Sequence, residues 1–402
     1  MIAIWVRRAA LMSVLVGAAP AAAFAGPQVI PHRSLWPDAI NSPAEFDRAS
    51  RAEILVFAQA LAESETLDDD TLQSRLDVHH PIDDASLQRV RRKIWELLGQ
   101  NYAIAARGCL AHEAFCPADS DSGDLRHEAA ALSASIQPRY ALWFSDAAQF
   151  QRSYLDELLR LAAVFSRYNS EVGTFNENEL PGWAMPDRHF LLTFDDGPTR
   201  GPEHPEPNAE DTDLTLKMLR DHQLNAVFFS LGETFQARLA ESSVEAMQGL
   251  YSGMCVGSHG WVHKSHATLP DWQESIASSS GLLRKTLPES YVPAFRPPYG
   301  QRPPDSGPFF RQLGLKVVLW SIDSHDWDDA LTADDVEARV MSLMLLWRRG
   351  FVLFHDVHAR SRMVVPRLIS WLAHDGISWI DCHRIDWSGS GDLRAPAGPA
   401  KQ

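Results

Sequence analysis

The apolar residues in the first half of the chain recur at the spacing of helices that bury one face. Ser42-Pro43 supplies a cap and a first-turn proline for one helix, and Asp83 and Asp84 precede a second. The periodic positions are Phe46, Ile54, Leu55, Phe57 and Leu61, then Leu87, Val90, Ile94, Trp95, Leu97 and Leu98, then Phe150, Tyr154, Leu158, Leu161 and Phe165. The pattern predicts a separate, mostly α-helical domain over residues 26–180.

The pattern changes after the segment 181–186, which contains prolines and a glycine. Short apolar runs of strand length now alternate with helical runs. The predicted strands are 189–194, 225–231, 254–256, 316–322, 350–354 and 377–380, and the predicted helices are 214–221, 271–287, 333–347 and 363–374. This alternation predicts an α/β domain over residues 181–388, with a parallel sheet closed into a (β/α) barrel. In such barrels the functional side chains lie at the C-terminal ends of strands. Residues 389–402 are predicted to be a disordered tail.

The first 25 residues have the pattern of an export signal. Arg7 and Arg8 precede the apolar run 9–19, and small residues follow, ending in Ala23-Phe24-Ala25. An uncleaved membrane anchor is the alternative, but the run is shorter than the ~20 residues that span a bilayer. We therefore expect cleavage near Ala25 and a periplasmic or secreted mature chain without a transmembrane segment.

Export would permit disulfide bonds, and the chain has four cysteines. Cys109 and Cys116 lie close in sequence and form the predicted pair, whereas Cys255 and Cys382 are far apart. Four cysteines allow three connectivities, and a free, buried Cys255 is an alternative. The formal net charge of −15, without any run of Lys or Arg, argues against a nucleic-acid partner.

Two pairs of polar residues follow predicted strands. Asp195 and Asp196 precede Gly197-Pro198, and if one carboxylate binds a metal ion, the other can accept a proton from a water on that ion. A simple turn is the alternative, because Asp, Gly and Pro favour turns. His259 and His263 are four residues apart, so both imidazoles can reach one ion; two structural histidines are the alternative. Two histidines and one aspartate would leave a coordination position for water, as catalytic metal sites do.

Three further polar clusters follow apolar runs: residues 296–300, 320–327 and 353–356. In the first, Pro297 and Pro298 stiffen the loop, so the Tyr299 amide can be held in a fixed direction. His266, close to the histidine pair, is predicted to lie on the surface. The same is predicted for His79-His80 in the helical part, where we find no motif that indicates a function.

The five clusters in this order resemble the motifs of the NodB-like polysaccharide deacetylases, family four of the carbohydrate esterases. The resemblance covers roughly residues 187–387 and excludes the helical part. It implies a distorted (β/α) barrel that binds one divalent metal ion through Asp196, His259 and His263. Zinc is the usual ion of the family, and cobalt, nickel, manganese and iron are alternatives.

The resemblance also implies roles on either side of the scissile bond. Asp195 would be the general base, kept ionised by Arg296. The Tyr299 backbone amide would help the metal stabilise the oxyanion, and Tyr299 is also counted with the substrate-binding residues.

His355 would be the acid that protonates the leaving amine. Asp326 and Trp327 would flank and orient it, with Trp327 also contacting substrate. Leu353 would line the pocket for the acetyl methyl group. Amide hydrolysis needs such an acid, because an amine leaves poorly unless it is protonated.

The chain departs from the family pattern at two places. Gly260 stands where Ser or Thr is usual, so a side-chain hydrogen bond that could steady the ligand loop is absent. The segment 200–207 is longer than expected. It shapes the substrate groove or is a solvated surface excursion, and both interpretations stay open.

By resemblance, the expected reaction is removal of acetyl groups from N-acetylglucosamine units of a polymer outside the cytoplasm, with peptidoglycan as one candidate. Hydrolysis of O-acetyl esters on acetylxylan-like polymers is the alternative reaction. A third hypothesis is an inactive carbohydrate-binding scaffold. The presence of the base, both histidine ligands and the acid argues against it.

Overall fold

The structure is a computed structural model that describes residues 29–110, 113–117, 124–164, 171–200, 211–387 and 389. The predicted signal peptide, most of the segment 200–207 and the predicted tail apart from Gly389 lie outside the described residues. Within the described part, no helix has both the length and the apolar character needed to span a bilayer.

The first part of the chain is helical, as predicted. Its helices are α1 (Pro43–Ser64), α2 (Asp69–Leu76), α3 (Asp84–Ala105), α4 (Leu125–Ser135) and α5 (Ala141–Val164). Ser42 caps α1 by accepting a hydrogen bond from the Glu45 amide, and Asp83 caps α3 in the same way through Ser86. His79 lies on the surface, with 90% of its side chain exposed.

The second part is a parallel sheet with helices around it. Its strands are β1 (Glu179–Leu180), β2 (His189–Asp195), β3 (Val227–Ser230), β4 (Cys255–Ser258), β5 (Tyr291–Phe295), β6 (Lys316–Val318), β7 (Ile322–Asp323), β8 (Gly350–His355) and β9 (Ser378–Trp379). Its helices are α6 (Thr212–Asp221), α7 (Gly232–Glu241), α8 (Val244–Leu250), α9 (Trp272–Thr286), α10 (Gly307–Leu313), α11 (Ala333–Trp347) and α12 (Ala359–Trp371). The strand order is β1-β6-β5-β4-β3-β2-β8-β7, with β9 beside the start of β2.

The sheet curls until its two edges meet. The Leu319 amide donates to Leu180 of the edge strand β1, and two residues later the Ser321 amide donates to Phe351 of β8 near the opposite edge. This short crossing brings the two edges together without a ladder between β1 and β7 in the described residues, so the sheet is a curled, distorted barrel of the predicted fold class. The single predicted strand 316–322 is wrong, because this run contains two strands, β6 next to one edge of the sheet and β7 at the opposite edge. The residues between them, 319–321, are buried as well, so the apolar pattern shows no break.

The helical part and the barrel share one continuous hydrophobic core. α1 and α3 pack against α11, the Asn101 side chain donates to the Trp347 carbonyl at 3.0 Å, and Trp347 Nε1 donates to the Tyr154 hydroxyl at 2.9 Å. The helical part therefore packs directly against the barrel, and the division of the chain at residue 180 stays a prediction. An amphipathic pattern indicates that a helix has an apolar face, but not what that face contacts. In addition, β1 belongs to the sheet, although the sequence placed it in the helical part.

Two disulfide bonds tie the chain. Cys109 pairs with Cys116, as predicted, and Cys255 pairs with Cys382. The alternative of a free Cys255 is wrong. The second bond joins β4 to the short helical turn that follows β9, which holds the C-terminal segment against the sheet.

Candidate active site

The three predicted metal ligands lie together near the C-terminal ends of β2 and β4. Asp196 follows β2, and His259 follows β4. Asp196 Oδ1 lies 3.3 Å from His259 Nε2 and 3.4 Å from His263 Nε2. One ligand atom from each residue lies within 4.8 Å of the other two, a separation that one ion can bridge.

The donor set fits a divalent ion. A carboxylate and two imidazoles are a typical set for catalytic zinc. His259 Nδ1 donates to the Arg296 carbonyl at 2.7 Å, which turns Nε2 toward the cluster. Asp196 Oδ1 is buried and accepts no hydrogen bond from the described residues, so it has acceptor capacity for a cation. Although burial opposes its ionisation, His259 and the other nearby histidines hold the pKa of Asp196 well below its ordinary value.

Asp195 points to a buried arginine beside the same cluster. Arg296 Nη1 donates to Asp195 Oδ1 at 2.9 Å and to Thr193 Oγ1 at 2.8 Å, and the guanidinium also binds the Val318 and Leu319 carbonyls. Arg296 has no exposed surface. Because its donors are held by four acceptors, the charge beside Asp195 is fixed in position.

His355 and Asp326 form a pair at the ends of β8 and β7. Asp326 Oδ1 lies 2.8 Å from His355 Nδ1, and Oδ2 accepts from the His355 amide at 2.9 Å. Burial alone would lower the pKa of His355, but Asp326 and the more distant Asp196 and Asp195 outweigh it and raise this pKa to about 10. The imidazole is therefore protonated at neutral pH and can donate a proton.

The predicted substrate-binding residues differ in their exposure and contacts. The Tyr299 ring, 53% exposed, contacts the His263 ring at a centroid distance of 4.6 Å. Leu353 is buried in β8, where it pairs with Thr193 of β2. The Trp327 ring packs against His325 at 5.1 Å.

His266 is buried, and the prediction that it lies on the surface is wrong. Its Nδ1 lies 3.0 Å from the Lys264 carbonyl and its Nε2 lies 3.1 Å from Ser275 Oγ. Burial, with a smaller effect from His259, lowers the pKa of His266 to about 4. Gly260 explains this position: a Cβ there would lie 2.5 Å from His266 Cε1, so the missing side chain makes room for the imidazole.

The ligand loop is steadied despite the glycine. The Gly260 amide donates to Ser258 Oγ at 3.0 Å, and the Trp261 amide donates to Ser275 Oγ at 2.8 Å. Two serines and the buried His266 therefore hold this loop, although no side chain at position 260 contributes.

Asp356 is a site residue to which the sequence assigned no role. Its Oδ1 accepts from the Gly197 amide at 2.9 Å, and its own amide donates to the Asp195 carbonyl at 3.3 Å. Burial, together with the charge of Asp196, raises its pKa to about 7. Asp356 thus supports the turn that carries both aspartates. The sequence signal that could have identified Asp356 is its position directly after His355 at the end of a strand.

The fold and the cluster define a parallel barrel with a candidate metal site at the C-terminal ends of its strands. Residues 184–318 match the sequence profile of a family described as polysaccharide deacetylase. Residues 184–318 therefore carry a domain similar to this family, the NodB-like polysaccharide deacetylases.

Curated relatives align with the same half of the chain. The peptidoglycan-N-acetylglucosamine deacetylase PgdA of Listeria monocytogenes is 26% identical over 228 residues, which cover 55% of this chain and 44% of PgdA. Chitin deacetylase 1 of Saccharomyces cerevisiae is 28% identical over 199 residues, which cover 47% of this chain and 59% of that protein. The chain thus spans about half the length of these relatives.

Solved structures also match this half. The Bc1960 peptidoglycan N-acetylglucosamine deacetylase is 22% identical, with a TM-score of 0.42, and the match covers 50% of this chain and 90% of that one. A family 4 carbohydrate esterase from Streptomyces lividans is 24% identical, with a TM-score of 0.38, and the match covers 51% of this chain and 91% of that one.

Proposed function

We propose that this protein is a metal-dependent deacetylase that hydrolyses N-acetyl groups on N-acetylglucosamine units of a polysaccharide outside the cytoplasm. The observation that carries the proposal is the convergence of Asp196, His259 and His263 next to Asp195 and the His355 imidazole. Relatives named as peptidoglycan and chitin deacetylases support the substrate class. The two disulfide bonds support export, because such bonds persist in oxidising compartments.

Asp196, His259 and His263 would hold the ion. When bound, a divalent ion acidifies water and polarises the acetyl carbonyl. Zinc suits a set of two imidazoles and one carboxylate, and cobalt, nickel, manganese or iron would be alternatives. Activity should therefore be lost on chelation and restored by adding zinc or cobalt.

Asp195 would accept the proton of the attacking water. Its carboxylate lies 3.8 Å from His259 Nε2 and is held on its other side by Arg296, so it stands beside the cluster without belonging to the three ligands. Arg296 places a positive charge beside the base and fixes its direction. The Tyr299 backbone amide would donate to the developing oxyanion, and the Tyr299 ring, with Leu353, would contact the substrate.

His355 would give a proton to the leaving nitrogen. Its protonated state at neutral pH follows from the pair with Asp326, which also fixes the ring orientation. An acid is indispensable for an amide, whereas an ester can leave with less help. The presence of this acid favours N-acetyl over O-acetyl hydrolysis, which stays the alternative for acetylxylan-like polymers.

Acetate release from chitin oligomers, peptidoglycan, poly-N-acetylglucosamine and acetylxylan tests the proposal. We expect release from at least one N-acetylated polymer. Asp195→Ala should lower it by 10²-fold or more, roughly the contribution of a general base, without changing the bound metal content. A wild-type protein that binds glycans but releases no acetate would make it a scaffold, and release confined to acetylxylan would make it an O-acetyl esterase.

A further inference from the structure

A buried cluster of charged groups joins the helical part to the barrel next to the proposed acid. Glu157 of α5 faces Arg339 of α11 and also His325, which lies in the connection before α11. Glu157 Oε1 lies 3.0 Å from His325 Nε2, and Arg339 Nη2 donates to both Glu157 oxygens at 3.2 Å. All three side chains are at least nine-tenths buried. Burial opposes ionisation of the carboxyl, but Arg339 and His325 lower the pKa of Glu157, so the carboxylate is charged.

The cluster holds the connection between β7 and α11, residues 324–332. Arg339 Nε donates to the Asp323 carbonyl at 3.0 Å, and the His325 amide donates to Asp323 Oδ1 at 3.0 Å. His325 has a φ of 57°, a conformation that a non-glycine residue keeps only when its surroundings impose it. Its contacts with Glu157 therefore help to fix the backbone at this point.

The next residue is Asp326, the partner of His355. The Asp326 carboxylate makes two hydrogen bonds to His355, and both depend on the path of this connection. A shift of a fraction of an ångström at His325 would move Asp326 and change the direction of the imidazole.

We propose that Glu157 of the helical part is a positioning residue that, through His325 and Arg339, holds Asp326 in place to orient His355. The helical part thus completes the active site and is not an independent module. The inference rests on the proposed function only in the catalytic role given to His355. Without the carboxylate, Arg339 would lose two hydrogen bonds and the strongest of the negative charges that compensate its own, so the cluster would rearrange.

Glu157→Gln, compared with Asp156→Asn, tests the structural step. Asp156 is the neighbouring residue on α5, is partly buried, and pairs with Arg75 of the same helical part. Hydrogen–deuterium exchange in the full chain should become faster for the peptide that covers 324–332 in Glu157→Gln and stay unchanged in Asp156→Asn. Unchanged exchange in Glu157→Gln, or equal acceleration in both variants, would overturn the inference.

Two substrates test the catalytic step. An N-acetylated chitin oligomer needs the acid, whereas 4-nitrophenyl acetate releases a phenolate that leaves without a proton. In Glu157→Gln, kcat on the oligomer should fall on the order of 10- to 100-fold, the range typical when an outer partner of a functional group is removed, with little change in KM. Hydrolysis of the phenyl ester should stay near the wild-type rate. An equal loss on both substrates would mean a general structural role and would contradict the inference.

A second variant changes His325, the partner of Glu157 in this contact. His325→Asn removes the imidazole but tolerates the positive φ, because asparagine is among the residues that adopt it. It should reproduce the loss on the oligomer and the faster exchange. If it does neither, the inference is wrong. A wild-type protein inactive on both substrates would refute the proposed function, while the exchange data would still decide the structural link.

Discussion

Asp196, Tyr299 and His325 have positive φ angles, a backbone conformation that residues other than glycine rarely adopt. Their φ angles are 83°, 58° and 57°. Such a conformation costs on the order of 1–3 kcal/mol per residue and persists only where neighbouring contacts impose it. All three residues lie in loops at the ends of strands, where the exact direction of a carboxylate or an amide matters. The barrel therefore bears a cost in stability to orient its site.

Asp326→Asn should change the pH dependence of the proposed reaction. The Asp326 carboxylate raises the pKa of His355, so its loss lowers that pKa and the imidazole loses its proton at lower pH. The alkaline limb of the kcat profile on an N-acetylated oligomer should move to lower pH. A profile with an unchanged alkaline limb would show that another group is the acid.

Gly260→Ala tests the contact between the ligand loop and His266. The new Cβ would overlap the imidazole, and the φ of 86° disfavours any side chain. We expect the free energy of unfolding to fall by about 1–3 kcal/mol and the metal affinity to fall with it. Calorimetry and metal content after dialysis measure both.

Gly281→Ala is the matched control for that variant. Gly281 lies in α9, and a Cβ there meets no atom within 4 Å. Gly281→Ala should leave the free energy of unfolding unchanged or raise it slightly, because alanine is a better helix former than glycine. If Gly260→Ala behaves the same way, His266 does not constrain this position.

At the scale of elements, the buried pair of Glu179 and Arg302 fixes the edge strand β1. Arg302 Nε donates to Glu179 Oε1 at 3.0 Å, and neither side chain is exposed. Glu179→Ala would leave a buried charge unpaired, which typically costs 3–5 kcal/mol, so we expect a loss of about that size in the free energy of unfolding. Urea denaturation measures it.

Glu177 provides the comparison two residues away. It pairs with Arg311, but both side chains are at least half exposed. Glu177→Ala should therefore cost less than about 1 kcal/mol. Equal costs for the two variants would contradict the distinction between a buried and an exposed pair.

The pattern of apolar residues predicted most elements, and its failures have physical causes. α11 was predicted with the bounds that the structure has, because its apolar residues keep the helical spacing, and Thr332 caps its first turn. The run 316–322 was read as one strand because burial continues across the crossing from one edge of the sheet to the other. β1 was missed because a strand of two residues is too short to show a periodic pattern.

The candidate site was more predictable than the contacts between elements. Asp195, Asp196 and the two ligand histidines could be named because short motifs at strand ends converge in a barrel. The roles given to them stay predictions. Glu157 could not be found in this way, since its partners lie more than 150 residues away and no local pattern marks the contact.

At the scale of the molecule, a chain that begins at Pro186 should not fold as the barrel does in the full protein. It would lack β1, the partner of β6, and would expose the side of α11 that now contacts α1 and α3. We expect light scattering to show aggregation, or calorimetry to show a non-cooperative unfolding transition. A monomeric truncation with a cooperative transition close to that of the full chain would show that the shared core is dispensable.

The disulfide between Cys255 and Cys382 joins two residues that are 127 positions apart and so closes the intervening chain into a covalent ring. His259, His263, Arg296, Asp326 and His355 all lie inside this covalent ring, whereas Asp195 and Asp196 lie outside it. A single cut by a protease in any surface turn of the ring would therefore leave both fragments attached to each other. In an oxidising environment rich in proteases, a nicked molecule can keep its site assembled until a reductant separates the pieces.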